Sequence, residues 1–421
     1  MPSTGPSHFP ETPAVLPSSA KVVVVGGGVL GTSAAFHLAE AGVEDVVLID
    51  RGPVASGTTP MAAGQTGYLN SDRFATDFGL YNVEFFENFE QKTGHAIDFH
   101  QNGSLRITLT EEYHQDLERR LEVAAQIGDD ARIISSDEAK QMVPLLAPAE
   151  DCRIMLMPRD GWVEPKSVAV AYAAAAVDRG VRIHTGVPVT GLVHDGQRVS
   201  GVTTPEGVLR ADWVVLAAGA WSRQLCQPLG VNLRSVPVRH QAYVTARLAD
   251  ARPGQPIVRI TEPQFYVRPE AGGLLVGGYG YRPLSFDMDE FEDGFEIAAL
   301  EADQVYYAQL QAAAEPFFPV LENAVRVQDR RGLPTISPDG RMVISEPDGA
   351  DGMIVLTACG VGGVDRSPGA GRVVADIVAG RDQWIAPEIL GANRFGNEFV
   401  DDVTLRARCE EVYAHHYHDV Y

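Results

Sequence analysis

Hydrophobic positions mark the first elements of this chain by their period. Residues 21–25 are a lysine followed by four valines, a β-branched run that suits a strand buried on both faces of a parallel sheet. Ala34, Ala35, Leu38 and Ala39 then recur at helical spacing, Gly42 ends that helix, and residues 46–49 form a second buried strand closed by Asp50. Far along the chain Val373, Val374, Ile377 and Val378 make another helical stripe. Ser367 reads as its N-cap, Pro368 as its first helical residue and Gly380 as its end. No apolar run approaches the roughly 20 residues needed to span a bilayer.

Between the first strand and the first helix stands Gly26-Gly-Gly28-Val29-Leu30-Gly31, and Asp50 follows 19 residues after Gly31. That arrangement is a dinucleotide-binding fingerprint. Gly26 permits the tight turn, Gly28 lets the backbone approach a pyrophosphate, and Gly31 lets the helix lie close to the strand. The helix N-terminus offers N–H groups to the phosphates, and Asp50 accepts from the ribose hydroxyls.

Composition narrows the partners. A formal net charge of −22 over 421 residues argues against nucleic acid and anionic membranes, both of which the average field repels. Cys152, Cys226, Cys359 and Cys409 show no metal-ligand spacing, so they read as reduced, mostly buried thiols. Residues 1–19 contain five prolines and no Lys or Arg; they read as a disordered leader before a cytoplasmic enzyme.

Either dinucleotide fits the opening unit, and the segments that follow it decide for FAD. Arg51-Gly52, then Ala55-Ser56-Gly57-Thr58-Thr59, then Ala62-Ala63-Gly64 resemble the flavin-wrapping segment of the sarcosine and dimethylglycine dehydrogenases, within the FAD-dependent D-amino-acid-oxidase-like superfamily. Further matches run in order over roughly residues 21 to 421. Asp160-Gly-Trp-Val-Glu-Pro165 resembles the family's element before a helix, Val189 its adenine-side residue, and Ala218-Gly219-Ala-Trp221 its second glycine strand. Val236-Pro-Val-Arg-His240-Gln241, Tyr266-Val-Arg268 and the stretch from Gly272 to Gly277 resemble the substrate-domain sheet. Pro334-Thr335-Ile-Ser-Pro338-Asp339-Gly340 resembles a turn near the flavin ring. The run Gly360-Val-Gly362-Gly363-Val364-Asp365-Arg366-Ser367 is similar to the loop and helix start that stabilise the reduced flavin. Residues from Asn393 through Leu405, Arg406, Arg408, Glu410, Tyr413 and Tyr417 resemble a linker to a folate-binding module, which is expected to be absent here.

The resemblance implies an α/β fold: a Rossmann-like FAD-binding domain with an interleaved, mostly antiparallel substrate domain. The expected layout is a leader over 1–19, an FAD-binding domain over 20–85, 155–235 and 330–392, a substrate domain over 86–154 and 236–329, and a helical tail over 393–421. The implied activity is oxidation of the C–N bond of a secondary or tertiary amine by hydride transfer to flavin, with O2 or an electron-transfer protein as acceptor. Two alternatives use the same fold: a 2-hydroxy-acid or primary amino-acid dehydrogenase, and a flavin-binding regulatory subunit without catalysis.

Departures from the family carry information too. Met61 stands where the dehydrogenases have the histidine that bonds FAD, and Gly332 falls where sarcosine oxidases have their linking cysteine, so the flavin is expected to be non-covalent. The only lysines are Lys21, Lys92, Lys140 and Lys166. The carboxylate-clamping lysine of the oxidases falls at about Asp365, so the expected substrate is a larger amine than N-methylglycine. Its anionic end would rest on Arg268 or Arg366. His240, Tyr266, Tyr279 and His100 are the remaining candidates near the ring, with a neutral histidine suited to orient or deprotonate an amine.

Overall fold

A computed structural model describes residues 15–415. The first sheet has a parallel core in the order Arg182–Thr185, Val46–Asp50, Ser19–Val25, Gly207–Leu216 and Met353–Thr357. Its central strand contains Val22, Val23 and Val24, all fully buried, so the four-valine run has helices or loops covering both faces. Val199–Thr204 and Gly191–His194 extend one side as an antiparallel hairpin. The helices Val29–Glu40, Pro165–Val177 and Ser367–Val378 pack together over one face. Small residues set how close they come: a Cβ at Gly371 would lie 2.4 Å from Ser33 Oγ.

The second sheet runs Arg326–Gly332, His240–Thr245, Gly273–Gly278, Phe265–Glu270, Ile257–Ile260, Ser104–Thr108, Arg153–Met157 and Arg132–Ile134. All its pairings are antiparallel except that of Ile257–Ile260 with Ser104–Thr108. One face packs on the helix Gln304–Ala314 around Phe265, Tyr306 and Leu310. A three-stranded piece, Gln65–Thr66, Gly161–Val163 and Phe99–His100, lies where the chain passes between the sheets. The mixed α/β architecture with one largely parallel and one largely antiparallel sheet is as the sequence implied.

The structure draws several boundaries differently. Arg153–Met157 and Arg326–Gly332 are strands of the second sheet, so divisions at 155 and 330 fall inside strands. The helix Arg73–Thr93 runs across the division at 85. At the N-terminus residues 1–14 lie outside the described residues, as does Tyr417. Of the remaining leader, Leu16 packs against the first sheet, the Ser18 carbonyl accepts from Arg210 N–H at 2.9 Å, and Ser19 opens the central strand. The tail is the helix Asp402–Ala414. Leu405, Cys409, Val412 and Tyr413 bury its inner face against Val236, Tyr266 and Tyr279. No helix among the described residues is long and apolar enough to cross a membrane.

Candidate active site

The glycine turn is built as its spacing requires. Gly26 has φ +113°, and a Cβ there would stand 2.3 Å from the Ala217 carbonyl; one at Gly31 would stand 1.9 Å from the Gly26 carbonyl. Gly28 differs, since a Cβ would meet only Thr59 Oγ1, at 3.4 Å, and its φ of −72° suits any residue. Protein packing therefore leaves the space at Gly28 open, beside the N-terminus of a 12-residue helix. A pyrophosphate fits that chemistry. Thr59 Oγ1 accepts from Val29 N–H at 3.1 Å, while Leu30 lies partly buried in the following turn. Asp50 accepts from Gly27 N–H at 2.5 Å and Gly52 N–H at 2.7 Å. Burial pushes its carboxyl up and those two N–H groups pull it down. Arg51 lies 3.8 Å from the centroid of Trp221, Ser56 crowds Gly52, and Gly57 and Gly219 face open space. Ala218 and Val189 line the same side of the sheet, where Val187 N–H donates to the Asp50 carbonyl at 2.9 Å.

Beyond the turn lies a cavity of about 840 Å³, lined from both sheets. Thr58, Met61, Ala62, Ala63 and Gly64 supply one wall, and Gly332, Val364, Asp365, Arg366, His240, Tyr266 and Tyr279 supply others. Gly332 packs directly on the segment Thr58–Met61: a Cβ there would be 2.9 Å from Thr58 Cγ2 and 3.4 Å from Met61 Cβ. Thr58 Oγ1 also accepts from Leu333 N–H at 3.1 Å.

Asp365 is 5% exposed and accepts from Gly67 N–H at 3.1 Å. Burial pushes its carboxyl up to about 7, against the pull of Arg366, Gly67 N–H and Arg259, with Asp160 adding to the rise. His240 bonds to two tyrosines, Nδ1 to the Tyr413 hydroxyl at 2.9 Å and Nε2 to the Tyr266 hydroxyl at 2.8 Å. Burial pulls its imidazole down to about 4. It is thus neutral at physiological pH, donating through one nitrogen and accepting through the other. With both nitrogens engaged, it orients Tyr266.

Five expected residues sit differently. Arg268 does not line the cavity: its Nε donates to the Ala63 carbonyl at 2.7 Å and its Nη1 pairs with Glu270 at 2.6 Å. Burial pulls it down to about 10, with Glu270 opposing. It therefore cannot serve as a substrate clamp while so bound. His100 is stacked on Trp162 at 3.9 Å and paired with Asp98 at 2.8 Å, outside the cavity lining. Ser367 is the first helical residue with Arg366 as the N-cap. Its hydroxyl donates to the Val364 carbonyl at 2.8 Å and meets Tyr172 at 3.1 Å, so it faces the helix core. Gly362 and Gly363 shape the loop instead: Gly362 carbonyl accepts from Arg366 N–H at 2.9 Å, and a Cβ at Gly363 would crowd Cys359.

Several site residues escaped the sequence reading. Arg330 donates to the Ala62 carbonyl at 3.0 Å and pairs with Glu270 at 3.2 Å, so two arginines joined by one glutamate hold the consecutive carbonyls of Ala62 and Ala63. Arg259 donates to Asp160 at 2.6 Å and to Gln65 at 2.9 Å. Asn82 accepts from Gly369 N–H at 2.9 Å, capping the helix Ser367–Val378 from outside. The signal for Arg330 was present: it lies two residues from Gly332 on one strand, hence on the same face.

A family model described as FAD dependent oxidoreductase matches residues 21–377. The chain belongs to that family of FAD-dependent oxidoreductases. Among curated members, the 4-methylaminobutanoate oxidase (formaldehyde-forming) of Paenarthrobacter nicotinovorans is 29% identical over 98% of this chain and 50% of its own length. The mitochondrial dimethylglycine dehydrogenase of Mus musculus is 30% identical over 98% of this chain and 48% of its own. The chain thus spans about half the length of these relatives. The L-proline dehydrogenase from P. horikoshii shares the fold, with a TM-score of 0.80 at 23% identity over 90% of this chain and 98% of that one.

Proposed function

We propose that the chain holds FAD without a covalent bond and oxidises the C–N bond of a secondary or tertiary amine, of N-methyl amino-acid type, to an imine that hydrolyses. One observation carries this choice: a buried carboxyl, Asp365, stands in the wall of the cavity that the flavin segments line. An acid there attracts a cationic amine and repels a 2-hydroxy acid. The names of the relatives, an oxidase of a methylamino acid and a dimethylglycine dehydrogenase, support the same substrate class. Met61 and Gly332 in the lining offer no nucleophile for a flavin linkage, which supports the non-covalent reading. The four free thiols support a reducing compartment such as the cytoplasm.

Bound FAD supplies the hydride acceptor. The protein's own part is positional and protonic. Asp365, ionised above about pH 7, takes the proton from the substrate ammonium and leaves the nitrogen lone pair free to assist loss of hydride from the adjacent carbon. Tyr266, fixed by His240, and Tyr279 line the same cavity. The Arg268–Glu270–Arg330 cluster keeps the flavin segment rigid, since a site must be held to fractions of an ångström to align reacting atoms. The terminal electron acceptor is O2 or an electron-transfer protein.

The test is anaerobic mixing of the purified holoprotein with a panel of N-methylamines and 2-hydroxy acids, followed by acid precipitation. The reading requires amines to bleach the flavin, hydroxy acids to leave it oxidised, and acid to release all the FAD. Bleaching by hydroxy acids alone overturns the substrate class, and flavin retained in the pellet overturns the non-covalent site.

A further inference from the structure

The cavity extends past the flavin segments to a wall made by the helix Glu111–Ile127 and the strand Ser104–Thr108. Arg106, Arg119 and Arg120 line it there, with Asp72, Glu112 and Asp116 as the acids. Arg120 is 2% exposed. Its Nε donates to Asp116 at 2.7 Å and its Nη1 to the Leu69 carbonyl at 2.6 Å, while Nη2 is buried and makes no hydrogen bond. A guanidinium N–H withheld from water without an acceptor is costly, and a ligand carboxylate is the group whose geometry satisfies it. Burial pushes Asp116 up, yet Arg120, Arg106 and Arg119 together hold its carboxyl below the usual range.

The acid and basic ends of the cavity are joined by one short piece of chain. Gly67 N–H donates to Asp365, and the Leu69 carbonyl accepts from Arg120. Three residues reach at most about 11 Å, so the carboxyl and the guanidinium stand within roughly 17 Å of each other along that wall once both hydrogen bonds are included. Arg120 pairs with Asp116 and not with Asp365, so the two poles are distinct.

We propose that Arg120, with Arg106 beside it, docks the anionic end of the substrate, and that the enzyme selects amines whose carboxylate lies several methylenes from the nitrogen over N-methylglycine. This rests on the amine reading above, with the ammonium at Asp365. The cavity then binds a zwitterion lengthwise, cation toward the flavin and anion toward the helix Glu111–Ile127.

Anaerobic mixing of the holoprotein with N-methylglycine, 4-(methylamino)butanoate and the primary amide of the latter gives a half-saturating concentration and a limiting bleaching rate for each. The butanoate is expected to half-saturate at a concentration at least about tenfold below its amide, as expected for a charge-assisted contact in a dry site, and below N-methylglycine by a similar factor. In Arg120→Leu that preference should fall to within about twofold, with FAD content retained and the limiting rate little changed; Arg106→Gln is the second variant should the first fail to fold. Equal half-saturation by acid and amide in the wild-type protein, or an unaltered preference in a folded Arg120→Leu, overturns the inference alone. A flavin that none of the three amines bleaches overturns the amine reading and this inference with it.

Discussion

Gly28 and Gly31 stand three residues apart and answer to different demands. A side chain at Gly31 meets the Gly26 backbone, whereas one at Gly28 enters open space. Gly28→Val should therefore give a folded apoprotein with little or no FAD, and Gly31→Ala should lower stability by roughly 2 kcal/mol or more through overpacking; flavin content and thermal unfolding separate the two, and a yellow Gly28→Val protein would refute the phosphate assignment. Asp365 provides a second check. Its folded-state value, raised to about 7, means that the native state holds a proton the unfolded state has released. Stability contributed by that proton is lost as pH rises from about 4 toward 7. Asp365→Asn should thus melt higher than wild type at pH 8, with the gain shrinking toward pH 4; a gain independent of pH would contradict the burial argument. The tight turn at Gly26 and the close helix packing at Gly31 were legible in the sequence because both demands fix residue type and spacing. Ser367 and Arg268 were misassigned because a side chain's partner is not written in its own position: the Val364 carbonyl claims the hydroxyl, and Glu270 with the Ala63 carbonyl claims the guanidinium.

At the scale of elements, edges between strands and segments matter more than the strands themselves. Phe265–Glu270 and Arg326–Gly332 are separated by two strands of the second sheet, yet Arg268 and Arg330 meet at Glu270 and reach consecutive carbonyls, Ala63 and Ala62. Glu270→Gln leaves two buried guanidinium groups without their counter-charge, which should cost on the order of 3 kcal/mol and weaken FAD binding by loosening residues 62–63. Denaturant unfolding and FAD titration measure the two effects, and unchanged FAD affinity would show that the clamp does not reach the cofactor. Apolar periodicity revealed the buried strands and the glycine-flanked helices, since burial on a period of 2 or 3.6 leaves a record in the sequence. The Tyr413 contact with His240 left no such record, because it joins residues 173 positions apart.

Across the whole molecule, one sheet carries the glycine turn, both sheets contribute to the cavity walls, and the chain crosses between them several times. Strong local signals identified the FAD half. The second half was read through resemblance, because substrate residues answer to a shape that only the folded pair of sheets creates. The account's central claim is that a C–H bond on carbon next to nitrogen breaks during flavin reduction. The most direct measurement is the anaerobic bleaching rate with an N-methylamine substrate deuterated on both carbons attached to nitrogen, compared with the unlabelled amine at saturation. The account predicts a several-fold slower bleaching with the labelled substrate; identical rates, with deuterium absent from the reduced flavin's reaction path, would contradict it.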